Sequence, residues 1–386
     1  MSEALIARAC SADALLEGAI VEGVSRCWPA EATPLRALVL AGSLAREEGS
    51  WLPRGAGTVL LGDAELLCVV SDGARLPPPD ALAPMLARVD ERLHELGISA
   101  HVTFTPVGER YLRTLPAHIF GYELRHTGRV LWGDANCLAL IPGCSAAELP
   151  RSDAWRLLTN RVVELLPALG RPAGSAASEL YPWVKLYLDV ATSYLVFTGG
   201  YVPGYARRAE RLRQACGRDA WATPALVRQV EACTAWKLAP TAQAPELFDE
   251  SGFRARALER AERLWCWELE QMTAAPPGTP RPELWRRWLR QQPGRSRWRG
   301  WMSAWRHGGA PARQAARWLW MARRASPRHW IYEAAAEAAF APPTSARLQS
   351  CAACLPYPPM FSPRQPSELA GAVVDNFQRL VQSTRA

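Results

Sequence analysis

The chain has 386 residues, a net charge of +8 and a hydrophobic content of 49%. That length holds two or three domains, each large enough for a real core. No apolar run approaches the 18 residues of a membrane span, and ten cysteines follow no framework spacing, so a transmembrane protein and a disulfide-stapled fold are both disfavoured. Reduced thiols and a cytoplasmic setting are the expectation.

The first twenty residues carry early acids and no basic-then-apolar leader pattern; they read as an amphipathic helix starting near Ser11-Ala12-Asp13. An apolar run, LRALVLA at 35–41, stops at Gly42-Ser43. A helix-like segment with Ala45-Arg46-Glu47 follows, then a glycine-rich loop, then a second apolar run that opens with Asp63 and Glu65. On a strand, residues i and i+2 share a face, so the two carboxylates would stand side by side and repel. One reading leaves Asp63 in the loop and both acids solvated. The other gives them a hard divalent cation, because Mg²⁺ takes one or two carboxylates together with phosphate oxygens. A helix N-terminus at Gly42-Ser43 would suit those phosphates.

Gly42-Ser43, the following helix and Asp63-Ala64-Glu65 on an apolar strand resemble the signature of the polymerase-β-like nucleotidyltransferase superfamily. The likeness covers about the first 140 residues and requires a loop insertion at 51–62. It implies that Gly42 and Ser43 hold the triphosphate tail of a nucleotide and that Asp63 and Glu65 hold Mg²⁺.

Positions 78–96 have helical spacing (Leu82, Met85, Leu86, Val89, Leu93, Leu96), with Gly97 as a stop. ISAHVTFTPV at 98–107 alternates as a strand. Members of the superfamily place a third acid on this strand, and aminoglycoside nucleotidyltransferases use a glutamate there as general base. Here the face carries His101, Thr103 and Thr105. His101 stands where that acid would be and can accept a proton near neutral pH, although it is a poor Mg²⁺ ligand. Loss of the acid is equally consistent with a slow or inactive enzyme that still binds nucleotide. The segment 115–133 reads as a helix, a turn at Thr127-Gly128 and a short strand. Glu123 on that helix is an alternative third acid, but an exposed residue paired with Arg125 or His126 is the preferred reading.

From about residue 151 helical periodicity takes over. Helices are expected at 153–169 (capped by Ser152), 179–197, 201–212 and 253–272, with a Pro/Gly/Ser linker at 171–178. Lys185 and Lys237 are the two lysines among 45 basic residues. Where arginine is so favoured, a retained lysine points to a need for compact charge. Lys185 lies four residues before Asp189, which allows an ion pair along the helix. The resemblance implies instead that Lys185 reaches the triphosphate, with Arg161, Tyr205 and Arg208 as weaker candidates for the same anionic pocket. Lys237 has no supporting context.

The segment 281–330 has thirteen arginines, one acid (Glu283) and eight of the 17 tryptophans. Trp298, Trp301 and Trp305 have helical spacing and read as core. The arginines then form a basic face that would attract RNA or another polyanion, a membrane surface or a protein partner. Cys351 and Cys354 form a C-x-x-C pair without the further ligands zinc needs. Residues 342–366 read as a proline-rich irregular connector, and 367–382 as a last helix.

The expected architecture is α+β. A small mixed-sheet nucleotidyltransferase-like domain spans 1–150, an all-helical domain 151–341, and a connector with a terminal helix 342–386. The expected activity is Mg²⁺-dependent transfer of a nucleoside monophosphate from an NTP, ATP first, to an unidentified hydroxyl acceptor. The alternatives are a nucleotide-binding pseudoenzyme and a basic helical protein that binds RNA or a protein partner.

Overall fold

The computed structural model describes residues 3–29, 34–73, 75–169, 176–218, 220–243, 245–249, 252–308, 315–341, 344–360 and 362–384. The class is α+β, a mixed sheet followed by helices. Two compact units divide the chain. The first takes 1–150, 175–181 and 198–249; the second takes 151–174, 182–197 and 250–386.

The first unit opens with α1 (Glu3–Cys27), which starts earlier than the Ser11 signal suggests. The sheet is built from β1 (Leu35–Ala41), β2 (Trp51–Arg54), β3 (Gly57–Val70), β4 (Ile98–Gly108) and β5 (Arg129–Gly133). One-turn helix α2 (Gly42–Ala45) follows β1. Helix α3 (Ala83–Glu95) connects β3 to β4, and α4 (Glu109–Arg113) and α5 (Ile119–Thr127) precede β5. β3 is the organiser. β4 runs parallel along one edge of it, while β2 and β1 pair antiparallel with its first and last parts on the other edge; β5 lies outside β1. A parallel pair cannot be joined by a tight turn, which is why α3 is needed as a crossover. Gly97, at φ +67°, ends that crossover, a conformation glycine adopts without steric cost.

Alternation along the strands makes two faces. Leu38, Leu40, Ala64, Leu66, Cys68, Val102 and Phe104 pack under α1 and α3. Ala37, Val39, Ala41, Leu67, Val69 and Val107 pack under Leu112, Leu124 and Ile141. Helices α6 (Arg151–Leu169) and α7 (Ala177–Phe197) come next in the chain. The first unit is completed by α8 (Tyr205–Ala215), α9 (Pro224–Leu238) and the single turn α10 (Glu246–Asp249). Helix α9 starts where Thr223 caps the Leu226 amide and Pro224 takes the first turn. Most of the linker expected at 171–178 lies outside the described residues.

The second unit contains α6, most of α7, and α11 (Phe253–Thr273), α12 (Arg281–Gln291), α13 (Gly294–Gly308), α14 (Ala315–Ala322), α15 (Pro327–Phe340), α16 (Ser345–Ala353) and α17 (Pro366–Thr384). The α16 helix corrects the irregular connector expected there: Thr344 caps its start by accepting from Arg347 N. Trp155 centres the core, with the rings of Trp265, Trp285, Trp288 and Tyr332 within 5.8 Å of it. The rings of Trp301 and Trp318 lie 5.0 Å apart, tilted by 54°. Trp298 and Trp305, expected beside Trp301 in the core, are instead 46% and 54% exposed. The buried stripe of α13 runs through Trp301 and Ala304, so Trp298 and Trp305, one turn before and after Trp301, fall at its rim.

Glu268 on α11 is fully buried. It takes a hydrogen bond from Ser193 at 2.7 Å, and its second oxygen has no partner among the described residues. Burial pushes its pKa from 4.5 up to about 8, against the pull of Ser193. A carboxyl raised in the folded state stabilises fully below its unfolded pKa, and that contribution is lost as pH rises toward about 8. Glu268→Gln should remove this slope. Across pH 5 to 8 the variant should gain about 3 kcal/mol relative to the native chain, measured by denaturant titration at each pH. Parallel curves would mean that Glu268 does not titrate in this way.

Candidate functional site

β1 delivers Gly42 and Ser43 to a point beside the middle of β3. Ala41 pairs with Glu65, so the chain leaves β1 level with the acids. On the other edge, Asp63 pairs with His101 and Glu65 with Thr103. Asp63, Glu65, His101 and Thr103 therefore share the face that carries Leu67, Val69 and Val107 deeper in the sheet. Asp63 and His101 are exposed and Glu65 is half-buried. Neither acid makes an ion pair or hydrogen bond among the described residues. Gly42, at φ +71°, makes the turn off the strand; a Cβ there would meet open space, so the demand is conformational rather than steric.

The helix expected to carry Ala45-Arg46-Glu47 is a single turn. Glu47 N bonds to Leu44 O and Glu48 N to Ser43 O, with Glu47 itself at φ 58°. This is a Schellman stop in which glutamate occupies the left-handed position. One turn carries little macrodipole, so an anion here would depend on side chains and local amides more than on a helix end.

Immediately behind this turn the first unit holds a buried polar network. Arg46 donates to Glu48 and to Glu123, each at 2.8 Å. Glu123 also takes Arg208 at 2.8 Å and the Tyr201 hydroxyl. Burial raises the Glu123 pKa, but Arg208, Arg46 and Tyr201 outweigh it and hold the carboxyl below its usual value. Neither sequence reading of Glu123 anticipated this. It is not an exposed partner of Arg125 or His126, since its partners come from 77 and 85 residues away. Glu48 accepts from Tyr205 N at 2.6 Å, at the start of α8. Lys237 is 1% exposed, donates to Glu48 O at 2.7 Å and to Ser50 at 2.8 Å, and sits over the Tyr205 ring at 4.8 Å. Its retention as one of two lysines was the signal available in the sequence.

The expected residues thus separate into groups. Gly42, Ser43, Asp63, Glu65 and His101 come together at the C-terminal end of β1, beside the middle of β3. Tyr205 and Arg208 belong to the buried network, where Arg208 is bonded to Glu123 and Val202 O. Arg161 and Lys185 lie in the second unit, where Arg161 binds Asp189, with Glu164 as its second partner. The sequence reading passed over Arg207. It is exposed on α8 and lines a cleft of about 410 Å³ with Arg46, Glu47, Thr127 and Gly204.

The donor set at Asp63 and Glu65 suits a hard divalent cation: two oxygen ligands, adjacent, solvent-accessible and uncompensated by any cationic side chain among the described residues. No group of three or more His, Cys, Asp or Glu side chains with metal-binding geometry occurs among the described residues, so remaining ligands would come from phosphate and water.

No family model matches the chain, and no curated protein matches it. Among solved structures, the spectinomycin adenyltransferase from Enterococcus faecialis, determined with ATP and spectinomycin, is similar to it at 10% identity and a TM-score of 0.40, over 64% of this chain and 98% of that one. At that level of likeness, any assignment has to stand on the residues.

Proposed function

We propose that the chain is a nucleotidyltransferase that moves a nucleoside monophosphate from an NTP, with ATP as the first candidate, to a hydroxyl acceptor. The observation that carries this reading is the register: two unpaired carboxylates side by side on β3, level with the Gly42-Ser43 turn and with His101 alongside. Asp63 and Glu65 would hold Mg²⁺, which when bound supplies positive charge to the phosphate oxygens during in-line attack. The Ser43 hydroxyl and the turn would position the β- and γ-phosphates. Arg207 is better placed for an anion than Arg208, whose guanidinium is already bonded to Glu123. His101 would take the proton from the acceptor hydroxyl. The test is calorimetric titration of the intact chain with ATP and GTP, with Mg²⁺ and then with EDTA. Binding that needs Mg²⁺ supports the assignment; no binding in either condition would remove it.

A second reading has its own support. Trp298, Trp305 and Trp320 are exposed, and Arg295, Arg299 and Arg306 are exposed on α13. Indole faces among arginines suit a single-stranded polyanion whose bases can stack. Binding of poly(U), followed by tryptophan quenching, should then weaken by about 10³-fold or more between 50 and 200 mM salt. Trp305→Ala should weaken it further at any one salt concentration. A variant that binds as the native chain does would discard the stacking surface.

A further inference from the structure

Lys237 sits in the last turn of α9, 1% exposed. Its ammonium donates to Glu48 O at 2.7 Å and to Ser50 Oγ at 2.8 Å, and the Tyr205 ring lies 4.8 Å from the same nitrogen. A buried ammonium is costly, and a methionine would fill much of that space without the cost. Packing alone therefore does not account for the charge.

The two bonds lead to the two halves of the proposed transfer site, all within the first unit. On one side, the Glu48 amide bonds to Ser43 O at 2.9 Å, so Lys237 holds the residue that closes the Gly42-Ser43 turn. On the other, Ser50 O takes the Leu61 amide at 2.9 Å, and Leu61 stands two residues before Asp63 on β3. Ser50 Oγ returns a bond to Lys237 O at 2.9 Å, which fixes the direction of the hydroxyl. The Tyr181 hydroxyl is 3.4 Å from Ser50 Oγ and would be 3.0 Å from a Cβ on Gly62, so β3 is backed immediately before Asp63.

Strand pairing sets Gly42 level with Glu65, through Ala41. It does not set the path by which the chain returns from Ser43 to β2, and that path decides where the Ser43 hydroxyl stands. Lys237 ties this path to β3. Lysine suits the task, because one small nitrogen carries three donors that can diverge; the arginine fork is broad and planar.

We propose that Lys237 is a positioning residue for the transfer: its ammonium sets the Gly42-Ser43 turn against the strand of Asp63 and Glu65, so that both act on one Mg²⁺-bound triphosphate. This role rests on the nucleotidyltransferase reading.

A double-mutant cycle tests it, with the Mg²⁺-ATP affinity of the intact chain read by calorimetry. In the native background, Ser43→Ala should weaken binding about tenfold, the worth of one hydrogen bond to a charged group. Lys237→Met should also weaken it about tenfold, from outside the proposed ligand contacts. In the Lys237→Met background, Ser43→Ala should then change the affinity by less than about twofold, because the hydroxyl is no longer held on the phosphates. A lysine that serves stability alone would give additive changes, or none, in chains kept below their unfolding transitions, which a urea titration locates. Ser50→Ala is the second route. It leaves the ammonium on Glu48, cuts the limb to β3 and should show the same coupling to Ser43→Ala, even where Lys237→Met folds poorly. Additive changes, or native affinity in the Lys237→Met and Ser50→Ala chains, would overturn the role of Lys237 and leave native nucleotide binding in place. No Mg²⁺-ATP binding by the native chain would remove the transfer reading, and this role with it.

Discussion

Asp63→Asn should weaken Mg²⁺-dependent ATP binding by about 10²-fold and reduce pyrophosphate release with any acceptor by about 10²–10³-fold. The substitution removes one of two negative charges from the donor pair and little else. Asp63 is exposed and makes no hydrogen bond or ion pair among the described residues, so the unfolding transition should stay where it is. That separation gives the experiment its force. A carboxylate that binds metal costs function when neutralised, whereas a solvated loop acid costs nothing. Calorimetry with and without Mg²⁺ reads the effect on binding, and a urea titration excludes that the Asp63→Asn variant is simply unfolded. If Asp63→Asn binds Mg²⁺-ATP as the native chain does, the acids on β3 are not the metal site. His101→Asn should leave ATP affinity unchanged and lower only the rate of transfer, because a proton acceptor acts after the nucleotide is bound.

The largest stability effect should come from Glu123→Gln, at about 3–5 kcal/mol. The carboxylate is shared by Arg46, Arg208 and Tyr201, and removing its charge takes the shared anion from the buried Arg208 and leaves Arg46 with Glu48. Denaturant titration of the full chain reads the loss in the transition of the first unit. The pH dependence has a definite sign. The Glu123 pKa is depressed in the folded state, so its contribution is complete above the ordinary unfolded value of 4.5 and is lost as pH falls toward the folded value. The native chain should therefore lose stability in acid over that window while the glutamine variant stays flat there. Equal stabilities at pH 7 would mean that water, rather than Glu123, satisfies Arg46 and Arg208.

What the sequence could disclose was local. An apolar run located β3, period-two alternation located β4, and the spacing from Met85 to Leu93 with Gly97 behind it located α3, because each signal lies within one element. The paired acids and the Gly42-Ser43 turn were legible for the same reason. The mixed-sheet-then-helices class followed from the change of period near residue 151. What stayed hidden depends on distant partners. Nothing near Glu123 in the chain reveals that Arg46 and Arg208 will meet it, so its neighbours Arg125 and His126 looked sufficient. Lys237 was rare in composition but had no nearby acid, because its partners are a backbone carbonyl and a serine some 190 residues earlier, together with an aromatic face. Trp298, Trp301 and Trp305 were indistinguishable by spacing; only the line of the packed stripe on α13, through Trp301 and Ala304, buries one and leaves the other two at its rim.

The first unit is not continuous in sequence, since it closes with 198–249 after the chain has passed through part of the second. Synthesis proceeds from the N-terminus, so the sheet emerges from the ribosome well before Tyr201, Arg208 and Lys237 exist. During that interval Arg46, Glu48 and Glu123 have one another but not Tyr201, Tyr205, Arg208 or Lys237, and the newborn sheet carries charges at a surface destined to be covered. The nascent domain is thus kept hydrated at that face until α8 and α9 arrive to dry it. Its maturation is timed by chain elongation, at roughly 5–20 residues per second, rather than by the pairing of its strands.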